Sequence, residues 1–204
     1  MPSRNTIRLD TGESYYHVYA RGASKQPIFL EPKDYTYFLK LFERYLSDKT
    51  TISKQGIAYP NFKKSIQVLA YCLMPNHFHI LVYQAEQGGL TALMRGIMTS
   101  YSRYFNLKYK RSGSLFENRY KASRIDTQAY LEHISRYIHL NPRSWKTYPY
   151  SSLTYYKRGN APVWLHPQRI LEMFNSSESY LQFVADYEEH RDMLSEIKHE
   201  LADR

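Results

Sequence analysis

The sequence has little cysteine, no long apolar run and no low-complexity segment, and each shortage excludes a class of protein. Cys72 is the only cysteine among 204 residues, so no internal disulfide can form and a reducing cytoplasm is the expected compartment. No stretch approaches the ~18 apolar residues that cross a membrane. The N-terminal stretch up to Gly22 lacks the apolar segment of a signal peptide. The sequence therefore predicts a globular protein without a membrane partner.

Acidic side chains are also scarce, except at the C-terminal end. Residues 178–204 carry 8 acidic and 3 basic side chains, whereas residues 1–177 carry 25 basic and 11 acidic ones. The densest basic part, residues 95–146, has 11 basic and 3 acidic side chains. A surface of this kind attracts polyanions, of which nucleic acid is the commonest in the cytoplasm. A merely solvated, solubilising surface is the alternative interpretation.

Hydrophobic periodicity predicts a β-α-β-β-α-β order followed by another helix. This order indicates an α+β fold, a ferredoxin-like antiparallel sheet of four or five strands with helices packed on one face. Residues 145–177 read as loops and short helices, and residues 178–201 as one acidic helix. The predicted strands are 14–20, 65–73, 77–84 and 119–125, and the predicted helices are 32–47, 90–107 and 127–141.

The stretch PNHFHILV, residues 75–82, places two histidines in an apolar segment that favours a strand. Side chains alternate between the faces of a strand, so His77 and His79 point one way and Phe78 the other. Two neutral imidazoles directed at one spot suit a metal ion if a third ligand comes from elsewhere.

The predicted helix 127–141 offers that ligand. Its apolar stripe is Leu131, Ile134 and Ile138, and Tyr137 lies about 90° from the centre of the stripe. Asn141 lies one turn further on the same flank; it could instead simply end the helix before a proline. Tyr130 lies on the same flank, but no amide side chain follows it one helical turn later.

If this helix packs beside the histidine strand, two imidazoles, an amide oxygen and a phenol converge. Two nitrogens and one hard oxygen, with water and phosphate completing the shell, suit Mg²⁺ or Mn²⁺. A phenol beside a cation can attack a phosphodiester, and the resulting phosphotyrosine keeps the bond energy for rejoining.

PNHFHILV, LFENRYKA and SRYIHLNP together resemble the HUH single-strand endonucleases, and within them the single-tyrosine (Y1) transposases, especially the REP-associated tyrosine transposases. The resemblance runs from about residue 14 to about residue 157 and includes YHVYARG and YPYSSL. It implies that His77 and His79 bind the metal and that Tyr137 is the nucleophile. It also implies that Asn141 is the third ligand, where the insertion-sequence branch usually has Gln.

The same resemblance implies a catalytic domain over residues 1–157, which leaves residues 158–204 as a helical extension packed on or near it. The implied partner is single-stranded DNA with an imperfect hairpin, and the implied location is the cytoplasmic nucleoid. Relatives differ in oligomeric state, so a monomer and a homodimer both stay open.

Six basic residues are predicted to contact DNA phosphates. Three lie on or beside the short strand near 119–125, where Arg119 and Lys121 are expected to share a face. A non-catalytic nucleic-acid-binding module on the same fold, and a metal-dependent hydrolase without a covalent step, are the competing functions. His17, His133 and His139 have weaker claims to the site than the histidine pair. The predicted DNA contacts are Arg21, Lys110, Arg111, Arg119, Lys121 and Arg124.

Overall fold

A computed structural model describes residues 10–187, whose centre is one antiparallel sheet of four strands. The strands are β1 (Ser14–Arg21), β2 (Ile66–Met74), β3 (His77–Gln84) and β4 (Lys121–Ile125). They are arranged in the order β2-β3-β1-β4, and every neighbouring pair is antiparallel. This is the strand order that two β-α-β units produce when they interleave, and the predicted ferredoxin-like sheet is confirmed.

Two helices cover one face of the sheet. They are α1 (Pro32–Leu46) and α2 (Gly89–Lys108), and they bury an aromatic-rich core against the strands. Because strand side chains alternate, Val18, Phe78 and Ile80 face this core. Each of the three is fully buried.

The opposite face is covered by α3 (Gln128–Leu140), so helices occupy both faces and not one. Ile134 and Ile138 of α3 pack on Cys72 and Leu81 of the sheet. An irregularity in the β2–β3 pairing between Val68 and Ala70 shifts the alternation of β2 there. His77 and His79 both lie on this second face.

Three short helices complete the second layer: α4 (Leu153–Arg158), α5 (Gln168–Leu171) and α6 (Ser177–Ala185). The rings of Tyr156 and Tyr180, one on each side of the predicted 157/158 boundary, lie 4.9 Å apart in the core that holds α3. Of the acidic helix predicted over 178–201, the part beyond residue 187 lies outside the described residues. The division into a domain and an extension stays a prediction.

The predicted elements agree with the observed ones to within two residues at most ends. β4 is the shortest strand and begins at Lys121, so Arg119 precedes it. No helix between residues 10 and 187 is both long and apolar enough to span a bilayer.

Candidate active site on the second face of the sheet

The tight turn that joins β2 to β3 fixes where the histidine strand begins. The carbonyl of Pro75 accepts hydrogen bonds from the amides of Ile28 and Phe29 at 2.8 and 3.0 Å. The Gly22 amide donates to the carbonyl of Asn76 at 2.8 Å. A Cβ on Gly22 would collide with the carbonyl oxygen of Gln26, so only glycine allows the chain after β1 to fold back this closely.

The orientation of His77 follows from a chain of hydrogen bonds through Asn76. The Asn76 amide nitrogen donates to the carbonyl of Lys25 at 3.1 Å, so its Oδ1 must serve as the acceptor for His77 Nδ1, 2.7 Å away. A neutral imidazole carries one proton, which this contact assigns to Nδ1. Nε2 then carries an unprotonated lone pair, and it lies 3.2 Å from Asn141 Oδ1.

His79 lies between a buried histidine and the tyrosine of α3. Its Nδ1 is 2.9 Å from Nε2 of His17, which is completely buried. The two rings are nearly parallel with centroids 5.0 Å apart, and Tyr19 packs beside both, 5.1 Å from the His17 ring and 6.0 Å from the His79 ring. Burial lowers the pKa of His17 to about 3, so this side chain is neutral.

Helix α3 carries Tyr137 to the same place. Thr127 caps the start of the helix, because its hydroxyl accepts a hydrogen bond from the Tyr130 amide. The helix ends before Pro142, which lacks a backbone donor. The Tyr137 ring meets the edges of His79 and His17 with centroids 5.3 and 5.9 Å apart. Burial raises the pKa of the phenol to about 12, although the nearby Asn141 amide opposes the shift.

Two side chains of α3 bind this helix to the C-terminal layer. His139, fully buried, contacts the Tyr180 hydroxyl at 2.7 Å and the Ser152 hydroxyl at 2.8 Å. Arg136 donates to the carbonyl of Phe183 and is held between the rings of Phe183 and Tyr187, at 4.1 and 3.8 Å. His139 therefore has a structural role. Together with Arg136 it anchors the helix that carries Tyr137 to the C-terminal layer.

The residues present fit a divalent cation. Within residues 10–187 no cluster of three or more histidine, cysteine, aspartate or glutamate side chains could hold a metal ion. The candidate centre has only two such side chains, His77 and His79, and its third donor is the amide of Asn141. His77 Nε2 and Asn141 Oδ1 are both electron-rich and face each other across 3.2 Å. Two adjacent ligands at ~2.1 Å from one octahedral ion lie about 3 Å apart. A cation between them would relieve the contact of two lone pairs that this tautomer of His77 creates.

The six predicted DNA contacts do not all lie near this centre. Arg21 pairs with His77 across β1 and β3, and Lys121 pairs with Tyr19 across β1 and β4, so both stand on the histidine face. Arg124 lies on the opposite face of β4 and forms an ion pair with Asp126 at 2.6 Å.

The other three lie on or near α2. Arg119 lines a cavity of about 690 Å³ between α2 and the loop before β4. Lys110 and Arg111 follow the last turn of α2. Arg119 and Lys121 therefore do not form a common strand face, since Arg119 lies outside the strand.

Sequence reasoning gave too little weight to three residues of this centre. His17 and Tyr19 occupy alternate positions of β1, the same spacing that singled out His77 and His79, and this was the available signal. Asn76 immediately precedes the histidine pair and has no such periodic signal. All three depend on which strand lies beside which, and their importance appears once β1 is placed against β3.

A ferredoxin-like sheet that bears a histidine pair on a central strand, beside a helix bearing a tyrosine and an asparagine, defines the class of nucleic-acid enzyme that the motifs resemble. Residues 50–141 match the family model described as "Transposase IS200 like". The matched segment runs from before β2 to Asn141 and includes the histidine pair and Tyr137. The resemblance to the Y1 transposases is confirmed for this segment, which is similar to the IS200-like family, and the match supports an enzymatic, DNA-cleaving role.

Two solved structures are similar to the chain. One is the REP-associated tyrosine transposase bound to a REP hairpin, at 14% identity and a TM-score of 0.54, covering 77% of this chain and 87% of that one. At this identity the likeness shows the fold. The other, from Deinococcus radiodurans R1 and described as a candidate transposase, has 13% identity and a TM-score of 0.41, covering 64% and 92%. No curated protein matches the sequence.

Proposed function

We propose that the protein is a metal-dependent strand-transferase that cuts single-stranded DNA at or near a hairpin and forms a 5′-phosphotyrosine through Tyr137. The observation that carries this proposal is the convergence of one phenol, two imidazoles and one amide on one sheet face. The Tyr137 ring lies 5.3 Å from that of His79, and His77 Nε2 lies 3.2 Å from Asn141 Oδ1.

The chemistry is a displacement at phosphorus. The phenol of Tyr137 loses its proton and attacks, the O3′–P bond breaks, and the leaving 3′ oxygen takes up a proton. His77, His79 and Asn141 would hold Mg²⁺ or Mn²⁺, which when bound supplies charge stabilisation for the phosphodiester. The reverse attack by a 3′-hydroxyl rejoins strands without an external energy source.

The site needs only one chain, because α3 brings Tyr137 to the histidines of its own sheet. A monomer would therefore be competent, and a homodimer would carry two complete sites. We assign Arg21 and Lys121 to the phosphates nearest Tyr137. Arg119, Lys110, Arg111 and Arg124 would contact DNA further away, and a nucleoid-associated protein in the cytoplasm is the expected setting.

The experiment is a covalent-adduct assay on hairpin oligonucleotides with flanking single strands. Wild type is compared with Tyr137→Phe, with His77→Ala/His79→Ala and with Tyr130→Phe, in Mg²⁺, Mn²⁺ or EDTA, on denaturing gels. Tyr130 is the matched control, since it is a tyrosine of the same helix outside the convergence. We expect an adduct that needs metal and is lost only without Tyr137 or the histidines.

Other outcomes separate the competing functions. Cleavage that survives Tyr137→Phe would mean that a water molecule attacks and that the protein is a hydrolase. Tight hairpin binding with no adduct on any substrate would favour the non-catalytic binding module.

A further inference from the structure

His17 is a buried polar side chain that the proposed chemistry does not use. It stands in the middle of β1, opposite Leu81 of β3, with none of its surface exposed. Its Nε2 lies 2.9 Å from His79 Nδ1, and its Nδ1 meets no hydrogen-bond partner among residues 10–187. Burying a polar atom without a partner costs free energy, so a fold has no reason to keep an imidazole here for packing alone.

The contact between the two histidines can be made in two ways. Either His79 Nδ1 donates to His17 Nε2, or His17 Nε2 donates to His79 Nδ1. In the first arrangement Nε2 of His79 is a lone pair and can bind a cation. In the second arrangement Nε2 of a neutral His79 carries the proton and cannot bind a cation. The identity of the acceptor therefore decides whether His79 is a ligand.

We propose that His17 is a positioning residue, whose Nε2 accepts the Nδ1 proton of His79 and so holds the Nε2 lone pair of His79 toward the cation. This inference rests on the proposed metal centre. It gives His79 the same kind of support that Asn76 Oδ1 gives His77 at 2.7 Å. Partners of this kind fix the tautomer of a ligand, and their loss weakens metal binding by about 10- to 100-fold.

The ring stack around His17 limits the available alternatives. Tyr19 packs against the imidazole at 5.1 Å and His79 at 5.0 Å, with interplanar angles of 26° and 19°, and the Tyr19 and His79 rings are themselves 6.0 Å apart. A planar side chain at position 17 therefore packs against both rings whether or not it accepts a proton. Substitutions that keep the bulk but change the acceptor can separate packing from positioning.

Three variants make this separation. His17→Gln places an amide oxygen where Nε2 stands, whereas His17→Asn reaches only as far as Nδ1. His17→Phe keeps the planar ring and removes the acceptor. Tyr101→Phe is the control for lost stability, because it removes a buried hydrogen bond to Ile28 in the other core.

The measurement is the Mn²⁺ dissociation constant of the DNA-free protein, by calorimetry or by the electron paramagnetic resonance of free Mn²⁺. Melting temperatures in EDTA are recorded alongside it. We expect His17→Gln and Tyr101→Phe to bind Mn²⁺ as wild type does, and His17→Asn and His17→Phe to bind about 10- to 100-fold more weakly. His77→Ala reports whether Mn²⁺ occupies the proposed centre at all.

The results that would overturn the inference are distinct from those that would overturn the metal centre. Unchanged Mn²⁺ binding in His17→Asn and His17→Phe, with only the melting temperature lowered, would make His17 a packing residue. Weak binding in His17→Gln would also exclude the acceptor role. Wild type that binds no Mn²⁺, or binds it equally after His77→Ala, would remove the centre and the inference together.

A measurement on wild type alone guards against misfolded variants. Long-range ¹⁵N–¹H correlation spectra of the Zn²⁺-loaded protein identify which ring nitrogens carry protons. We expect the proton on Nδ1 of His79 and none on Nε2 of His17. A proton on Nε2 of His17 would refute the assignment.

Discussion

The pH dependence of adduct formation should be steep, because the proposed nucleophile is a buried phenol. Tyr137 is 3% exposed, and burial raises its pKa from 10.0 to about 12. Each pKa unit corresponds to 1.36 kcal/mol, so the shift costs the phenolate about 2.7 kcal/mol. At pH 8 about one molecule in ten thousand carries the phenolate at this pKa. The phenol is therefore protonated throughout the range in which the protein would work.

The sign of the effect follows directly. Below the pKa of the phenol, the phenolate fraction rises about tenfold for each unit of pH, and the rate of attack should rise with it. A bound cation would lower this pKa, but the slope persists between pH 7 and 8.5 as long as the pKa stays above about 9. The assay is single-turnover adduct formation at saturating oligonucleotide and saturating Mg²⁺, with quenching on denaturing gels.

Arg21 supplies a matched test of the same reasoning. Its charge lowers the pKa of Tyr137, so removing the charge should raise the pKa further and slow the adduct at a given pH. Arg21→Met should be slower than wild type at saturating DNA, while Arg21→Lys should stay close to it. A rate independent of pH from 7 to 8.5, with chemistry limiting, would refute the view that phenolate formation controls the step.

Three further predictions concern the surroundings of the site. Asn76→Ala should weaken Mn²⁺ binding about 10- to 100-fold because His77 loses its Nδ1 acceptor, whereas Asn76→Asp, which keeps an acceptor oxygen, should not; calorimetry distinguishes them. Burial alone would raise the pKa of the Asp34 carboxyl, but hydrogen bonds, first among them that of Lys108, hold it below its ordinary value. Asp34→Asn should therefore lose about 2–4 kcal/mol at pH 7 by urea unfolding, and the difference from wild type should shrink as the pH falls below about 4 and through the lowered pKa of the folded carboxyl. Arg136→Ala should lower the melting temperature by several degrees in calorimetry, since it removes a stack between two rings worth about 1–3 kcal/mol.

The order of elements could be predicted from local pattern, and the reason is physical. The nearly continuous apolar runs in SIQVLAYCLM and HFHILVYQ reflect strands that are buried on both faces, and the recurrence of Leu93, Met94 and Ile97 in α2 reflects one buried face of a helix. The β-α-β-β-α-β order then leaves few compact arrangements, of which the observed strand order is one. The second helical layer was harder, because α4, α5 and α6 have only 6, 4 and 9 residues and carry too few turns for periodicity.

Part of the site could also be predicted from local sequence patterns, and part depends on contacts between distant segments. His77 with His79, and Tyr137 with Asn141, are separated by two and four residues, so the strand and helix periods alone pair them. The contact between His17 and His79 spans 62 positions in sequence and exists only in the β1–β3 register. A register shift of one residue would turn His17 to the other face. No local pattern contains that information.

The charge of the centre explains why DNA and cation should depend on each other. The three proposed ligands are neutral, since two are imidazoles and one is an amide, and His17 behind them is neutral as well. The protein thus offers no carboxylate among these ligands to balance a divalent ion, while Arg21 and Lys121 on the same face add positive charge. The missing negative charge must come from the phosphodiester, whose attraction to a cation is strong in a site with little water. We therefore expect the proposed centre to bind its ion measurably without DNA and more tightly with it, which favours the chemistry at the moment when a strand is in place.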